Sequence, residues 1–294
     1  MIDKLEMFIA LANERHFGRA AESCGVTQPS LSSAIKQLEE QLGVQLVRRG
    51  TRFQGLTPEG QRVLDWARRI VSDTRTMREE MRAARAGLTG TLRLGVVPTA
   101  LPMVVDLIDP FARRHPKVRV AILSRTSIEI LHQIEALELD AGISYLANEP
   151  LGRVTTVPLF EESYRLLVHA DNPVAGAGTV SWAEVARQPL CLLTEDMQNR
   201  RIINALMAEE GAVPAPTVES NSIVVLVSHV MTGNWASVVP VKMAALFAHD
   251  DRLRAIPIRS RRASHLVGLV AAHREPHTPV LAALLEAARR IAEV

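Results

Sequence analysis

Two cysteines in 294 residues, Cys24 and Cys191, are too few and too distant in the chain for a disulfide framework, and no Cys-x-x-Cys pair offers a zinc or redox spacing. A reducing, cytoplasmic setting is expected. Long apolar runs are missing as well. None approaches the roughly 20 residues that span a bilayer, and the N-terminal "MFIALA" is stopped by Asn13, Glu14 and Arg15 before a signal-peptide core could form. Neither export nor membrane insertion is expected. Charge of one sign is also lacking: the formal net charge is only +2. Residues 1–90 hold 14 Lys and Arg against 11 Asp and Glu, and the remainder holds 20 against 21. The local cluster Arg48, Arg49 and Arg52 is sharper than the overall balance.

Catalytic signatures are absent too. There is no GxxxxGK, GxGxxG or GxSxG, so phosphate-loop, dinucleotide and hydrolase-elbow chemistry lack their minimal residues. "HREPH" (273–277) has a His-x-x-x-His spacing, but Pro276 disrupts the helix that would align the imidazoles, and no Glu follows the first His. No enzymatic activity, cofactor or metal is expected.

What is present is an ordinary globular composition, 47% apolar and 22% charged, with length for about two domains. Leu5, Phe8, Ile9 and Ala12, then Ala20, Ala21 and Cys24, recur at helical spacing and predict short helices over Leu5–Leu11 and Gly18–Cys24. Cys24 should be a buried core thiol. In "GVTQP" Gly25 can end the second helix in a left-handed conformation, Thr27 can cap a third, and Pro29 falls in its first turn, where no amide partner is needed. Leu31, Ala34, Ile35 and Leu38 then form one stripe, while Gln28, Ser30, Ser32, Ser33 and Lys36 cover the other surface. Short hydrogen-bonding side chains on the exposed start of a helix suit major-groove readout. The alternative is an amphipathic helix with a merely solvated polar face.

Residues 44–57 read as two short strands around Gly50, presenting Arg48, Arg49 and Arg52 near a hairpin tip: a basic wing beside a recognition helix. Thr57 and Pro58 start a long helix running to about Arg85. Along it Val63, Trp66, Ile70, Thr74, Met77, Met81 and Ala84 form a nearly heptad seam with one stutter. A helix of roughly 40 Å with so narrow a stripe should pair with a second copy of itself, setting two recognition helices about one duplex turn apart.

The order "LEMFIALANERHFGRAAESCGVTQPSLSSAIKQLEEQLGVQLVRR", followed by "LTPEG", resembles the N-terminal signature of LysR-type transcriptional regulators. The likeness is close over about the first 90 residues and extends in pattern beyond them. It departs at Val47, where the family usually carries Phe. The resemblance implies an α+β protein: a winged helix-turn-helix over 1–58, a dimerising linker helix over 59–87, and an effector-binding domain over 88–294. That last domain would be two-lobed α/β and similar to periplasmic binding proteins, with lobe I at 91–161 and 267–294 and lobe II at 162–266. The implied partners are double-stranded promoter DNA at an interrupted dyad, a small-molecule effector and further copies of the chain. A homodimer through the linker helix, assembled into a homotetramer, is expected, with RNA polymerase as a further partner. Thr27, Gln28, Pro29, Ser30, Ser32, Ser33 and Lys36 would lie on the major groove, and Arg49, Arg52 and Thr57 on the backbone or minor groove.

From "TLRLGVV" (91–97) onward, short Val/Ile/Leu-rich strands alternate with helices, which implies parallel sheets. Strands are predicted near 91–97, 118–124, 140–145, 164–169, 190–193, 236–240, 253–258 and 266–272. Helices are predicted near 99–114, 127–137, 199–210, 223–232, 242–248 and 278–292. Ligands of such folds sit at the carboxyl ends of strands. That places Pro98, Thr99 and Ala100, then Thr126 and Ser127, at one wall of a cleft. Met197, Gln198, Asn199, Asn221 and Ser222 fall in comparable loops opposite. Helix N-termini there favour a carboxylate; Thr and Ser at such places can equally be caps only. Arg125 and Arg200 read as surface cations. Trp235 either narrows the cleft or packs under the sheet. A solute-binding receptor would account for 91–294 but not for the wing, and an enzyme would need catalytic groups not found.

Overall fold

The computed structural model describes residues 1–48, 53–147, 149–247, 249–260 and 264–292. They form two compact units. One comprises Met1–Thr89 with Glu135–Glu138 and Arg274–Pro279; the other comprises Gly90–Ile134, Leu139–His273 and the chain from Val280 onward.

The first unit is built on four helices: α1 (Ile2–Glu14), α2 (Phe17–Ser23), α3 (Gln28–Leu42) and α4 (Pro58–Ala86). Both early helices exceed the sequence expectation at their N-terminal ends. His16 explains the start of α2, since its Nδ1 accepts from the amides of Gly18 and Arg19 at 3.1 and 3.3 Å. Gly25 takes a φ of 66°, in the left-handed region where an L side chain is strained. Thr27 caps α3, with its hydroxyl 3.4 Å from the Ser30 amide. Leu31, Ile35 and Leu38 enter a core with Leu5, Phe8, Leu11, Ala20 and Leu64. Each large aliphatic side chain taken fully out of water there contributes about 1.5–3 kcal/mol. Cys24 only packs against this core and is half-buried, not inside it as expected, because α2 ends at Ser23 and Cys24 already belongs to the turn.

Among the described residues the wing shows one antiparallel bridge, Val47 to Leu56, flanked by Arg48 N–H to Gly55 O at 3.0 Å and Thr57 N–H to Leu46 O at 3.0 Å. Arg49, Gly50 and Arg52 lie outside the described residues. Gly60 permits α4 to lie against the base of this hairpin: a Cβ there would stand 2.1 Å from the Leu46 carbonyl oxygen. Thr57 caps α4, accepting from the Gly60 amide at 2.8 Å. Along α4 Trp66, Ile70, Met77 and Met81 are 62, 41, 57 and 60% exposed.

In the second unit, strands β1 (Gly90–Val96), β2 (Val118–Ser124), β3 (Ala141–Tyr145), β4 (Val154–Glu162) and β10 (His265–Ala272) form a five-stranded sheet in the order β2-β1-β3-β10-β4. A 3-10 turn (Pro98–Met103), α5 (Val104–Arg114), α6 (Ser127–Glu135) and α11 (Pro279–Ala292) accompany these strands in the chain. The other half holds a sheet of β5 (Tyr164–His169), β8 (Ser237–Pro240) and β9 (Leu253–Pro257), and a pair of β6 (Cys191–Leu193) and β7 (Val218–Ser220). Its helices are α7 (Trp182–Ala186), α8 (Gln198–Glu209), α9 (Ile223–Val230) and α10 (Val241–Ala245).

Against the expectation of parallel sheets, the five-stranded sheet is mixed, the three-stranded one is antiparallel and the two-stranded one is parallel. Among the named strands β1–β2, β1–β3 and β6–β7 run parallel; β10 opposes β3 and β4, and β5 opposes β8 and β9. Parallel pairing needs a crossover helix. β5 instead enters its sheet from β4 across the single residue Ser163. Three elements have no counterpart in the sequence prediction: β4, β7 and α7. Pro158 argues against a strand, but β4 is the sheet edge, where a missing amide is tolerated. β7 has three residues and α7 five, too short for periodicity to register. The predicted helix at 99–114 is a 3-10 turn containing Pro102, followed by α5. Trp235 packs against the core of the second half, its ring 6.5 Å from that of His229.

Candidate functional site

The first candidate surface is the N-terminal half of α3. Thr27, Gln28, Pro29, Ser30, Ser32, Ser33 and Lys36 are all exposed, on the side opposite Leu31, Ile35 and Leu38. Some already have local partners. Thr27 Oγ1 and Ser30 Oγ are 2.8 Å apart, Gln37 Nε2 donates to Ser33 Oγ at 3.4 Å, and Lys36 Nζ stands 4.0 Å from Glu40. Solvated contacts of this kind exchange for base or phosphate contacts at little cost. Thr57 is differently engaged: besides capping α4, its hydroxyl donates to Gln45 O at 2.6 Å.

The second is a cleft of about 660 Å³ between the two halves of the second unit, a size that suits a small organic ligand. Pro98 and Thr126 line it from the first half; Met197, Asn221 and Ser222 line it from the other. Sequence reasoning missed its apolar floor, to which Leu101, Ile223, Met243, Leu246 and Phe247 contribute. Periodicity alone assigns such residues to a core. Arg125 belongs to the lining and is half-buried, which corrects its reading as a plain surface cation; its Nε donates to Gln133 at 3.2 Å and a terminal nitrogen to Ser124 O at 2.8 Å. Thr126 and Glu129 form reciprocal bonds at the start of α6: Thr126 N–H to Glu129 at 2.8 Å and Glu129 N–H to Thr126 Oγ1 at 3.1 Å.

The remaining expected cleft residues, Thr99, Ala100, Ser127, Gln198 and Asn199, are buried and off the lining. Thr99 Oγ1 lies 3.0 Å from Tyr145 Oη, and Asn199 Nδ2 donates to the same hydroxyl at 3.2 Å. Gln198 Nε2 donates to Ala147 O at 3.2 Å. Arg200, also read as a surface cation, is 2% exposed, because its guanidinium is drawn inward to Leu193 O, Asn204 and Glu219.

Bonded to the same Tyr145 hydroxyl as Thr99 and Asn199 is a carboxylate that the sequence did not reveal. Glu162, 3% exposed, accepts the Tyr145 hydroxyl proton at 2.5 Å. Burial pushes its pKa up to about 7, against the lowering effect of its hydrogen-bonding neighbours, Tyr145 foremost. Burial, then the Glu162 charge, raises Tyr145 well above the usual phenol range. Cys191 is also fully buried, and desolvation raises its thiol to about 11.

Comparison with known proteins matches both parts of the chain. Residues 2–61 match the family described as bacterial regulatory helix-turn-helix protein, lysR family, and residues 85–293 match the LysR substrate binding domain. The DNA-binding transcriptional dual regulator OxyR of Escherichia coli (strain K12) is 29% identical over 270 residues, covering 92% of this chain and 88% of that one. The probable hydrogen peroxide-inducible genes activator of Mycobacterium avium is 30% identical over 280 residues, covering 90% and 86%. A full-length OxyR variant from Pseudomonas aeruginosa superposes with a TM-score of 0.76 at 27% identity, covering 98% of this chain and 94% of that one. CbnR, a LysR family transcriptional regulator solved in complex with its target DNA, shares the fold at a TM-score of 0.63 and 23% identity, over 99% of each chain. Among the described residues no helix is long and apolar enough to cross a membrane. With both of its domains matched, the chain belongs to the LysR family and is a DNA-binding transcriptional regulator with an effector-binding domain.

Proposed function

We propose that this regulator acts in the cytoplasm as a homodimer through α4, assembled further into a tetramer, that it binds an interrupted dyad in promoter DNA, and that it responds to a small organic effector in the cleft. Its working parts are a winged helix-turn-helix over 1–58, a linker helix over 59–87 and an effector domain over 88–294 with lobes at 91–161 plus 267–294 and 162–266. The observation that carries the assembly is the row of Trp66, Ile70, Met77 and Met81, large apolar groups exposed along one seam. Gln28, Ser30, Ser32, Ser33 and Lys36 face the major groove, with Thr27 and Pro29 at the same helix start and Arg49, Arg52 and Thr57 toward the backbone. RNA polymerase is the partner of the promoter-bound form, and the cleft binds its ligand without turnover.

Pro98, Thr126, Met197, Asn221 and Ser222 contact the effector; Thr99, Ala100, Ser127, Gln198 and Asn199 hold those contacts from behind. Arg125 and the start of α9 favour a carboxylate, the start of α6 being taken by Glu129, and the apolar lining favours a hydrocarbon body beside it. Lobe arrangement transmits occupancy to the DNA-binding pairs by population shift.

The relatives' names speak of hydrogen peroxide. A thiol relay of that kind finds little support in this chain. Thiolate is the reactive form, and burial raises the pKa of both Cys24 and Cys191.

The test is footprinting on the DNA upstream of the coding region, with metabolites of neighbouring pathways and hydrogen peroxide as separate arms. Protection over several helical turns that shortens with one metabolite is expected. Protection no better than on random DNA, or a shift with peroxide alone, would overturn the corresponding part.

A further inference from the structure

Tyr145 and Glu162 lie off the cleft lining and form one hydrogen-bonded group with Thr99 and Asn199. Tyr145 ends β3, Glu162 ends β4, Thr99 sits in the 3-10 turn and Asn199 in the first turn of α8; their exposures are 1, 3, 2 and 4%. The Tyr145 hydroxyl is the hub. A phenol oxygen has one proton and two lone pairs. The proton goes to Glu162 Oε1, and the lone pairs face Thr99 and Asn199, so its capacity is filled. Three members belong to the half with the five-stranded sheet, and Asn199 to the other. Three of them adjoin the cleft or the crossing between the sheets. Pro98 of the cleft precedes Thr99, Met197 of the cleft lies two residues before Asn199, and Ser163, which joins β4 to β5, follows Glu162.

We propose that Tyr145, Asn199 and Glu162 form a proton-linked latch between the lobes, in which the Tyr145 hydroxyl holds α8 to the first lobe and the charge on Glu162 decides how well this arrangement competes with a more open one. The proposal rests on the reading that the effector acts by shifting lobe arrangement.

The second carboxylate oxygen of Glu162, Oε2, is buried and has no hydrogen-bond partner among the described residues. The Tyr164 hydroxyl on β5 stands near enough to lower the pKa of Glu162 but makes no hydrogen bond to Oε2. A bare, ionised carboxylate oxygen away from water is costly, and a protonated one much less so. The other titratable or charged groups around it are Tyr145 on β3, Glu161 on β4, Arg165 on β5, Lys242 on α10, and His265, its register partner on β10. Neutral Glu162 therefore favours the latched arrangement. Ionised Glu162 favours one that admits water to Oε2. Because burial raises this acid's pKa, the advantage of the latched arrangement is present at low pH and lost as pH rises through about 7.

The experiment uses the full-length protein without metabolites. Infrared spectra from pH ~5.5 to ~8.5 follow the carbonyl stretch of a buried carboxylic acid, and footprints on the upstream DNA are taken over the same range. The wild type should lose the band with a midpoint near 7 and change its footprint with the same midpoint. Glu162→Gln, a permanent mimic of the neutral acid, should lack the titrating band and keep the low-pH footprint throughout. Asn199→Ala removes the bond to Tyr145 Oη that holds α8 to the first lobe, so water reaches Oε2 more readily and the midpoint should move downward; this keeps the idea testable should Glu162→Gln not fold. No titrating carbonyl, an unmoved midpoint in Asn199→Ala, or an unchanged pH response in Glu162→Gln would each overturn the latch. A footprint that answers to a metabolite but not to pH would sink the latch and leave the effector reading standing. One that answers to pH but to no metabolite would do the reverse.

Discussion

Glu39 Oε1 accepts two backbone amides from the base of the wing, Leu46 N–H at 2.7 Å and Val47 N–H at 3.1 Å. The recognition helix and the hairpin are thereby held by one carboxylate, reached across a turn with no side-chain cap of its own. Charge-assisted bonds of this sort contribute about 1.5–3 kcal/mol where water is restricted. Glu39→Ala should lower the stability of the full-length protein by about 2 kcal/mol in denaturant melts and weaken operator binding. An unchanged melt would show that the hairpin holds itself.

Base readout and phosphate contact separate by salt. Ser33→Ala is expected to reduce operator affinity while sparing random DNA, at about 1 kcal/mol. Lys36→Ala should weaken both and reduce the salt slope by about one. Band-shift titrations at three ionic strengths distinguish them, and equal losses on both DNAs for Ser33→Ala would remove that residue from the base edges.

On α4 the exposed seam makes a directional prediction. Met77→Glu places a charge where two copies meet, so sedimentation should show a lower-order species and footprint affinity should fall at least tenfold, about 1.4 kcal/mol. Sedimentation identical to wild type would mean that this face is not the joint.

Glu162 makes stability depend on pH with an unusual sign for a carboxylate. Its pKa rises from an ordinary 4.5 to about 7 in the folded protein. Below the lower value both states hold the proton, and above the higher value neither does. Between them only the folded state holds it. Stability should therefore decline as pH rises across that window, by at most about 3 kcal/mol. Thermal melts of Glu162→Gln should show this decline removed; a decline equal to wild type would assign it to other groups.

Filling the cleft should silence it. Ser222→Trp is expected to abolish the footprint change caused by an active metabolite. Binding of that metabolite measured calorimetrically should fall at least tenfold, and retained affinity would move the ligand out of this cleft.

Much of the first unit was legible because its rules are local. Thr27 and Thr57 cap helices that begin one residue later, Gly25 turns within its own backbone, and Leu31, Ile35 and Leu38 repeat at the spacing of one face. The expected strands at 118–124 and 164–169 coincide with β2 and β5 for a similar reason, as β-branched and aliphatic runs bounded by polar residues. β4 was not legible, because Pro158 is admissible only at an edge, and the edge is fixed by strand order.

The sequence by itself determined the helix-turn-helix, its caps, the apolar seam of α4 and the alternation of strands and helices, since each depends on residues within a few turns of one another. Only the tertiary structure decided that Thr99 and Asn199 are buried off the cleft lining, that Arg200 is drawn inward to Glu219, and that Tyr145 meets a carboxylate 17 residues away and an amide 54 residues away. Those outcomes depend on where β4 and β10 carry the chain between two sheets, and desolvation, which sets the charge on Glu162, exists only once both sheets have closed over it.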